Sequence, residues 1–320
     1  LKPFWLKPFW RKHTNSKSVE PTHRESRPMK PWLAAAVLGF LMCFGMMCYF
    51  FRIPDDLRRN GKVGRWGAPN AEFNWCEPDY ELTDWVAEPV NTFSNIAMIL
   101  SPAVFLATHV AAKNTVVIAV LEIAIAMGSM LFHGSLRYSM QLCDELPMLW
   151  FSLACAVSYV QRIQGYNASL PAAAFSVMVS VATLVTEQGT GSHELCRGSM
   201  SCAFSVAIIL LAWGSTTLVN GLKQECTGKR RHVAIAAERI YSIGFFSFVL
   251  SIMCWLTDNY FCTALRQLPF GLPYPHLHMW WHLLVAVAVH CLLVLFQLYD
   301  LRHSETLQVV FRCCLPAVMG

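Results

Sequence analysis

The stretch PHLHMWWHLLVAVAVH, residues 275–290, places two imidazoles, His278 and His282, one helical turn apart at the mouth of an apolar segment long enough to cross a bilayer. Residues four apart lie on one face of a helix, about 6 Å apart along its axis. Both rings can therefore reach a single metal ion, as the paired histidines of helical zinc sites do. A candidate third ligand stands upstream in GSMLFHGSLRYSMQLCDELPM, residues 128–148, where Ser129 and His133 repeat the four-residue spacing. Asp144 follows at the head of the next apolar segment. Three neutral imidazoles and a water form the open arrangement of a catalytic zinc site.

Apolar blocks of this kind recur along the chain. Of its 320 residues 55% are hydrophobic and only 14% charged, against about 25% charged in soluble domains. A helix needs about 20 apolar residues to span the hydrocarbon core. Such blocks fall near residues 32–51, 92–111, 115–134, 142–161, 171–187, 203–221, 241–257 and 279–298. The expected fold class is all-α: a polytopic membrane protein whose seven-transmembrane-helix core carries one additional N-terminal transmembrane helix. The expected division is a basic, disordered segment at 1–31, an anchor at 32–51, a linker at 52–70, a polar segment at 71–89, the core at 90–300 and a cytosolic tail at 301–320. The chain opens on a duplicated pentapeptide, LKPFWLKPFW, and translation is expected to start at Met29. A peptide from residues 1–28 in a digest of the native protein would contradict that start.

The net charge of +5 is no nucleic-acid signature, because the basic residues sit in particular loops and form no stripe between aromatics. They report orientation instead. Lys223, Lys229, Arg230 and Arg231 share one connection, Arg302 and Arg312 follow the last block, and the segment before Trp32 is rich in Lys and Arg. The positive-inside rule places all three in the cytosol. His133, Asp144, His278 and His282 then gather at the opposite, luminal end of their helices.

The thirteen cysteines show no metal-type C-x-x-C spacing and read mainly as small buried hydrophobes. Cys76 and Cys262 fall on the expected luminal side, where an oxidising compartment permits a disulfide, with Cys196 and Cys202 as rival partners. Glu122 is a carboxylate in mid-segment, seven residues before Ser129 and eleven before His133, on nearly the same helix face. It reads either as a packing residue or as a contact to a polar part of a substrate.

The strings WGAPNAEFNWCEPDYELTDWVAEPVNTFSN (66–95), GSMLFHGSLRYSMQLCDELPM (128–148), WLTDNYFC (255–262) and HMWWH (278–282) give the chain a resemblance to the alkaline ceramidases. These are seven-helix zinc amidases of the endoplasmic reticulum and Golgi within the wider CREST group. The resemblance covers roughly residues 66–300. It implies that His133, His278 and His282 bind zinc, that Asp144 handles the proton and that Ser129 helps stabilise the oxyanion. It further implies a calcium site on Asn74, Trp75, Glu77, Asp79 and Glu88, in which Asn74 stands where the family has aspartate and Asp79 where asparagine is usual. The Cys76 and Cys262 positions match the family's cysteine pair.

The activity so implied is zinc-dependent hydrolysis of the N-acyl bond of ceramides, giving a sphingoid base and a free fatty acid. The partners expected are a ceramide-type lipid and membrane lipids, with no nucleic acid and no obligate protein partner. The expected location is the endoplasmic reticulum or Golgi membrane, active site toward the lumen. The alternative is a seven-helix zinc receptor of the adiponectin and progestin receptor type with latent hydrolase activity.

Overall fold

A computed structural model describes residues 62–190, 193–304, 308–312 and 315–319. The expected N-terminal segment, Met29, the block at 32–51 and the linker as far as Gly61 lie outside the described residues.

Local chemistry sets where the helices start and stop. Helix α1 (Pro89–Ser94) carries Pro89 at its first position, where the missing N–H leaves no bond unmade and φ is already helical. It passes through Asn95 into α2 (Ile96–Thr108), and the two make one apolar run of 20 residues. Helix α3 (Lys113–Ser135) is stopped by Leu136, which adopts the left-handed region at φ 49°. That conformation costs an L-residue on the order of 1 kcal/mol, and its surroundings hold it. The Leu136 side chain is fully buried, and its carbonyl accepts the Asn70 and Ala71 amides at 3.1 and 3.0 Å. Helix α4 (Tyr138–Gln164) ends on left-handed Gly165, the usual residue for that cap.

The chain continues through α5 (Ser169–Thr190), α6 (His193–Glu225), α7 (Arg231–Tyr260), the short α8 (Cys262–Arg266) and α9 (Leu277–Asp300). Among the described residues, five helical runs are long and apolar enough to cross a membrane: Pro89–Thr108, Lys113–Ser135, Tyr138–Gln164, Gly228–Tyr260 and Leu277–Asp300. The protein is a polytopic membrane protein, and its body is helical. Helices α5 and α6 stand where the blocks at 171–187 and 203–221 were read. Three limits differ from the expectation. Helix α6 begins ten residues before the block at 203–221. Helix α7 begins ten residues before the block at 241–257, because Ala234, Ala236, Ala237, Glu238 and Arg239 are residues that propagate a helix readily. The tail, given no element by the sequence reading, folds into an antiparallel pair, β1 (Gln308–Arg312) and β2 (Leu315–Met319), with Gln308 opposite Met319.

Helix α3 packs along α4, α7 along α9, and α2 lies against both α3 and α9. Lipid tails are as apolar as leucine, so these contacts rest on close van der Waals approach, which small residues permit. At Gly244 of α7 a Cβ would stand 2.9 Å from the Cys291 Cβ of α9. Between the helices lie Phe105, Ile118, Ala126, Leu218, Leu293 and Val294, all buried. At the end of the bundle away from the histidines, Arg162 of α4 donates to both Asp300 carboxylate oxygens, at 2.9 and 2.6 Å, and to Thr115 of α3 at 2.8 Å. Its guanidinium lies 4.3 Å from the Phe296 ring, so one planar cation ties three helices.

At the histidine end the non-helical stretch 62–88 folds across the mouths of the helices. The Ala87 and Glu88 amides donate to the carbonyls of Gly134 and His133 at 2.9 and 3.0 Å. A disulfide joins Cys76 to Cys262, and the Arg266 guanidinium donates twice to the Cys76 carbonyl.

Candidate active site

His133 comes from the last two turns of α3, and His278 and His282 from the first two turns of α9. The fold brings these three buried rings into one cluster whose ligating nitrogens lie within 4.8 Å of one another. His133 and His278 are 145 residues apart in sequence, and their Nε2 atoms lie 3.2 Å apart.

Each ring is held from its outer side. His133 Nδ1 meets Glu88 Oε2 at 2.5 Å, and His282 Nδ1 meets the Ser94 hydroxyl at 2.7 Å. The Trp75 indole stacks on His278, with centroids 3.8 Å apart and an interplanar angle of 20°. Trp255 packs edge-on against Trp75 at 5.6 Å. With their Nδ1 atoms so engaged, His133 and His282 present Nε2 to the common centre, and partners of this kind fix imidazole orientation in metal sites. Two metal–nitrogen bonds of about 2.0–2.1 Å at a tetrahedral angle hold their nitrogens about 3.3 Å apart. The His133–His278 spacing fits a tetrahedral ion.

One turn from His133, Ser129 is buried on the same face of α3, and its hydroxyl donates to the Asp144 carboxylate of α4. Asp144 is half-buried. The two helices meet here without room for another atom: a Cβ on Gly128 would stand 2.0 Å from the Cys143 carbonyl oxygen and 2.8 Å from the Asp144 nitrogen. Only glycine lets α3 and α4 approach closely enough to join Ser129 to Asp144. Glu122, two turns further into the bundle, is 1% exposed. Its Oε1 has no hydrogen-bond partner among the described residues.

Asn74, Trp75, Glu77, Asp79 and Glu88 are all buried in the stretch above the histidines. Asn74 Nδ2 donates to Asp79 Oδ2 at 3.0 Å. Both Glu77 oxygens accept amides of the first turn of α1, Val90 and Asn91, at 2.8 Å each. Glu88 accepts the Trp75 amide at 3.2 Å and Asn91 Nδ2 at 3.1 Å besides meeting His133. Burial, then the neighbouring Glu88 charge, pushes the Glu77 carboxyl up to about 7. Burial likewise pushes Glu88 up to about 8, against the pull of its Asn91 and Trp75 donors. A fourth buried carboxylate, Asp258, accepts the Cys76 amide at 3.1 Å and the Tyr274 hydroxyl. Concentrated, desolvated negative charge of this kind suits a hard cation that prefers oxygen ligands.

Ser94, Asp258 and the stacking role of Trp75 are absent from the sequence reading. Ser94 lies 188 residues from His282, and the local hint is a hydroxyl in the second turn of a span opening at the histidine end. Asp258 stands inside WLTDNYFC, a carboxylate at the end of an apolar helix, which is expensive without a partner.

A family model described as Ceramidase matches residues 67–318. Alkaline ceramidase 3 of Mus musculus is 27% identical over 275 residues, covering 81% of this chain and 95% of the mouse protein. The alkaline ceramidase of Drosophila melanogaster is 27% identical over 236 residues, 71% of this chain and 76% of its own. Alkaline ceramidase YPC1 of Saccharomyces cerevisiae is 25% identical over 277 residues, 78% and 81% of the two chains. Since the family match runs from the stretch above the histidines to the end of the terminal hairpin, the chain belongs to the ceramidase family.

Proposed function

We propose that this protein is a zinc-dependent intramembrane amidase that hydrolyses ceramides to a sphingoid base and a free fatty acid. The observation that carries the reading is the convergence of His133, His278 and His282 beside the Ser129–Asp144 pair, in a bundle of membrane-spanning helices. The family match supports the ceramide class and leaves the receptor alternative without an observation of its own. Equal release of sphingoid base and fatty acid, read by mass spectrometry, tests it.

His133, His278 and His282 would hold the zinc, which when bound lowers the pKa of its water toward neutrality and polarises the amide carbonyl. Asp144 takes the proton of the attacking water and delivers it to the departing sphingoid nitrogen, which leaves only once protonated. At rest the Ser129 hydroxyl holds the Asp144 carboxylate in place. Turned toward the reacting carbonyl, it stabilises the oxyanion, a contact whose loss costs on the order of a hundredfold. Glu88, Ser94 and Trp75 keep the imidazoles aimed. Ser94→Ala is expected to weaken zinc binding by about 10–100-fold, with Ser94→Thr retaining most of it. Competition with a chromophoric chelator reads this directly, and an affinity unchanged in Ser94→Ala would contradict the role.

Calcium would be held by Asn74, Trp75, Glu77, Asp79 and Glu88, where it offsets buried negative charge and braces the stretch above the histidines. Added calcium is therefore expected to raise the thermal midpoint of the purified protein. A midpoint indifferent to millimolar calcium contradicts the site. The Cys76–Cys262 disulfide and the placement of basic loops support residence in the endoplasmic reticulum or Golgi, with the histidines toward the lumen. Glu122, with one oxygen unpaired among the described residues, contacts a polar part of the substrate. Glu122→Gln is expected to alter the preference among acyl lengths and hydroxylated ceramides, and an unchanged preference would count against the contact.

A further inference from the structure

The chain from α8 to α9 carries LPFGLP at residues 268–273, six consecutive residues without a polar side chain. Five of them, Pro269 to Pro273, are exposed. Phe270 is 99% exposed and Leu272 58%. The backbone turns the ring outward: Phe270 and Gly271 are both left-handed, at φ 63° and 68°, and a bulky side chain adopts that region only where its surroundings dictate it. Both feet of the loop are fixed. Cys262 is bonded to Cys76 and Arg266 to the Cys76 carbonyl, while Tyr274 donates to Asp258. A run of exposed apolar residues on a tethered tip is an error in water unless it serves a contact.

The position of the tip names the contact. The apolar runs long enough to cross a bilayer end at Tyr260 in α7 and resume at Leu277 in α9. The loop therefore lies at the level of the membrane surface on the histidine side. Phe261 before it and Trp280 after it are also exposed, at 54% and 47%, so exposed aromatic side chains flank the loop on both sides. Aromatic rings are favoured at that depth, and an apolar element buries into the boundary between headgroups and acyl chains.

We propose that the Leu268–Pro273 loop inserts into the bilayer leaflet at the histidine end, with Phe270 and Leu272 among the upper acyl chains, as an anchor beside the mouth of the site. Its partner is the lipid surface and not a particular headgroup, because the loop offers no charge with which to select one.

The test uses the full chain in phosphatidylcholine vesicles, with p-benzoylphenylalanine in place of Phe270 or, as a control, in place of the exposed, charged Glu81. After illumination, mass spectrometry reads what the benzophenone has captured. The expected result is a phosphatidylcholine adduct at position 270 at least several-fold more abundant than at 81. A yield no greater than at position 81 would overturn the proposal, as would capture of a second copy of the chain in place of lipid. Either reading is independent of whether the vesicles' ceramide is hydrolysed.

Discussion

Asp144→Asn is expected to lower turnover by about 10²–10⁴-fold, the range over which positioned acid–base groups act, while the bound metal stays. The substitution keeps the shape of the side chain and its contact with Ser129 but removes the site that accepts a proton. The three imidazoles belong to α3 and α9, and Asp144 belongs to α4. Metal content and catalysis are therefore separable in this variant. Turnover measured on ceramide beside metal content by emission spectrometry checks both halves. Near-normal hydrolysis would refute the assignment of Asp144, and loss of the metal would make the residue structural.

Gly128→Ala is the second variant with a large expected effect, and it acts without touching any reacting group. The added methyl would fall 2.0 Å from the Cys143 carbonyl oxygen and 2.4 Å from its carbon. Both are backbone atoms of α4, which cannot swing aside as a side chain does, so the helices must part. Overpacking of this kind costs about 1–3 kcal/mol or more. Displacing Asp144 relative to Ser129 by about 1 Å costs on the order of a hundredfold in rate. Gly134 on the same helix has nothing within 4 Å of its Cβ position, so Gly134→Ala serves as the neutral comparison. Thermal unfolding in detergent and turnover of the two variants side by side decide the matter. A fully active Gly128→Ala would mean that the close approach of α3 and α4 is not what builds the site.

The parts of the site that were legible in the sequence are those fixed by helical periodicity. His278 and His282, and Ser129 and His133, each lie four apart, and that spacing puts each pair on one helix face whatever the rest of the fold does. The apolar blocks located the helices to within a few residues, except that α6 and α7 each begin ten residues earlier, α7 through HVAIAAER. In α7 the polar side chains of Arg231, His232, Glu238 and Arg239 interrupt the apolar run of that extension. The disulfide between Cys76 and Cys262 followed from the family resemblance, since spacing alone left Cys196 and Cys202 in contention. What stayed hidden depends on how the stretch 62–88 folds over the helix ends. Trp75 reaches His278 and Glu88 reaches His133 only because amides of that stretch dock on the carbonyls of His133, Gly134 and Leu136. Gly128 is equally silent in sequence, where a glycine in an apolar helix does not say which neighbour's backbone it admits.

The most direct measurement of the central claim is the incubation of purified protein with a panel of ceramides, dihydroceramides and phytoceramides, quantifying sphingoid base and fatty acid by mass spectrometry. The His278→Ala, His282→Ala double variant is run beside it. Equal amounts of the two products are expected from at least one member of the panel, and none from the double variant. A zinc-loaded, calcium-supplied preparation that releases nothing from any ceramide, or a double variant that releases as much as the parent, would contradict it.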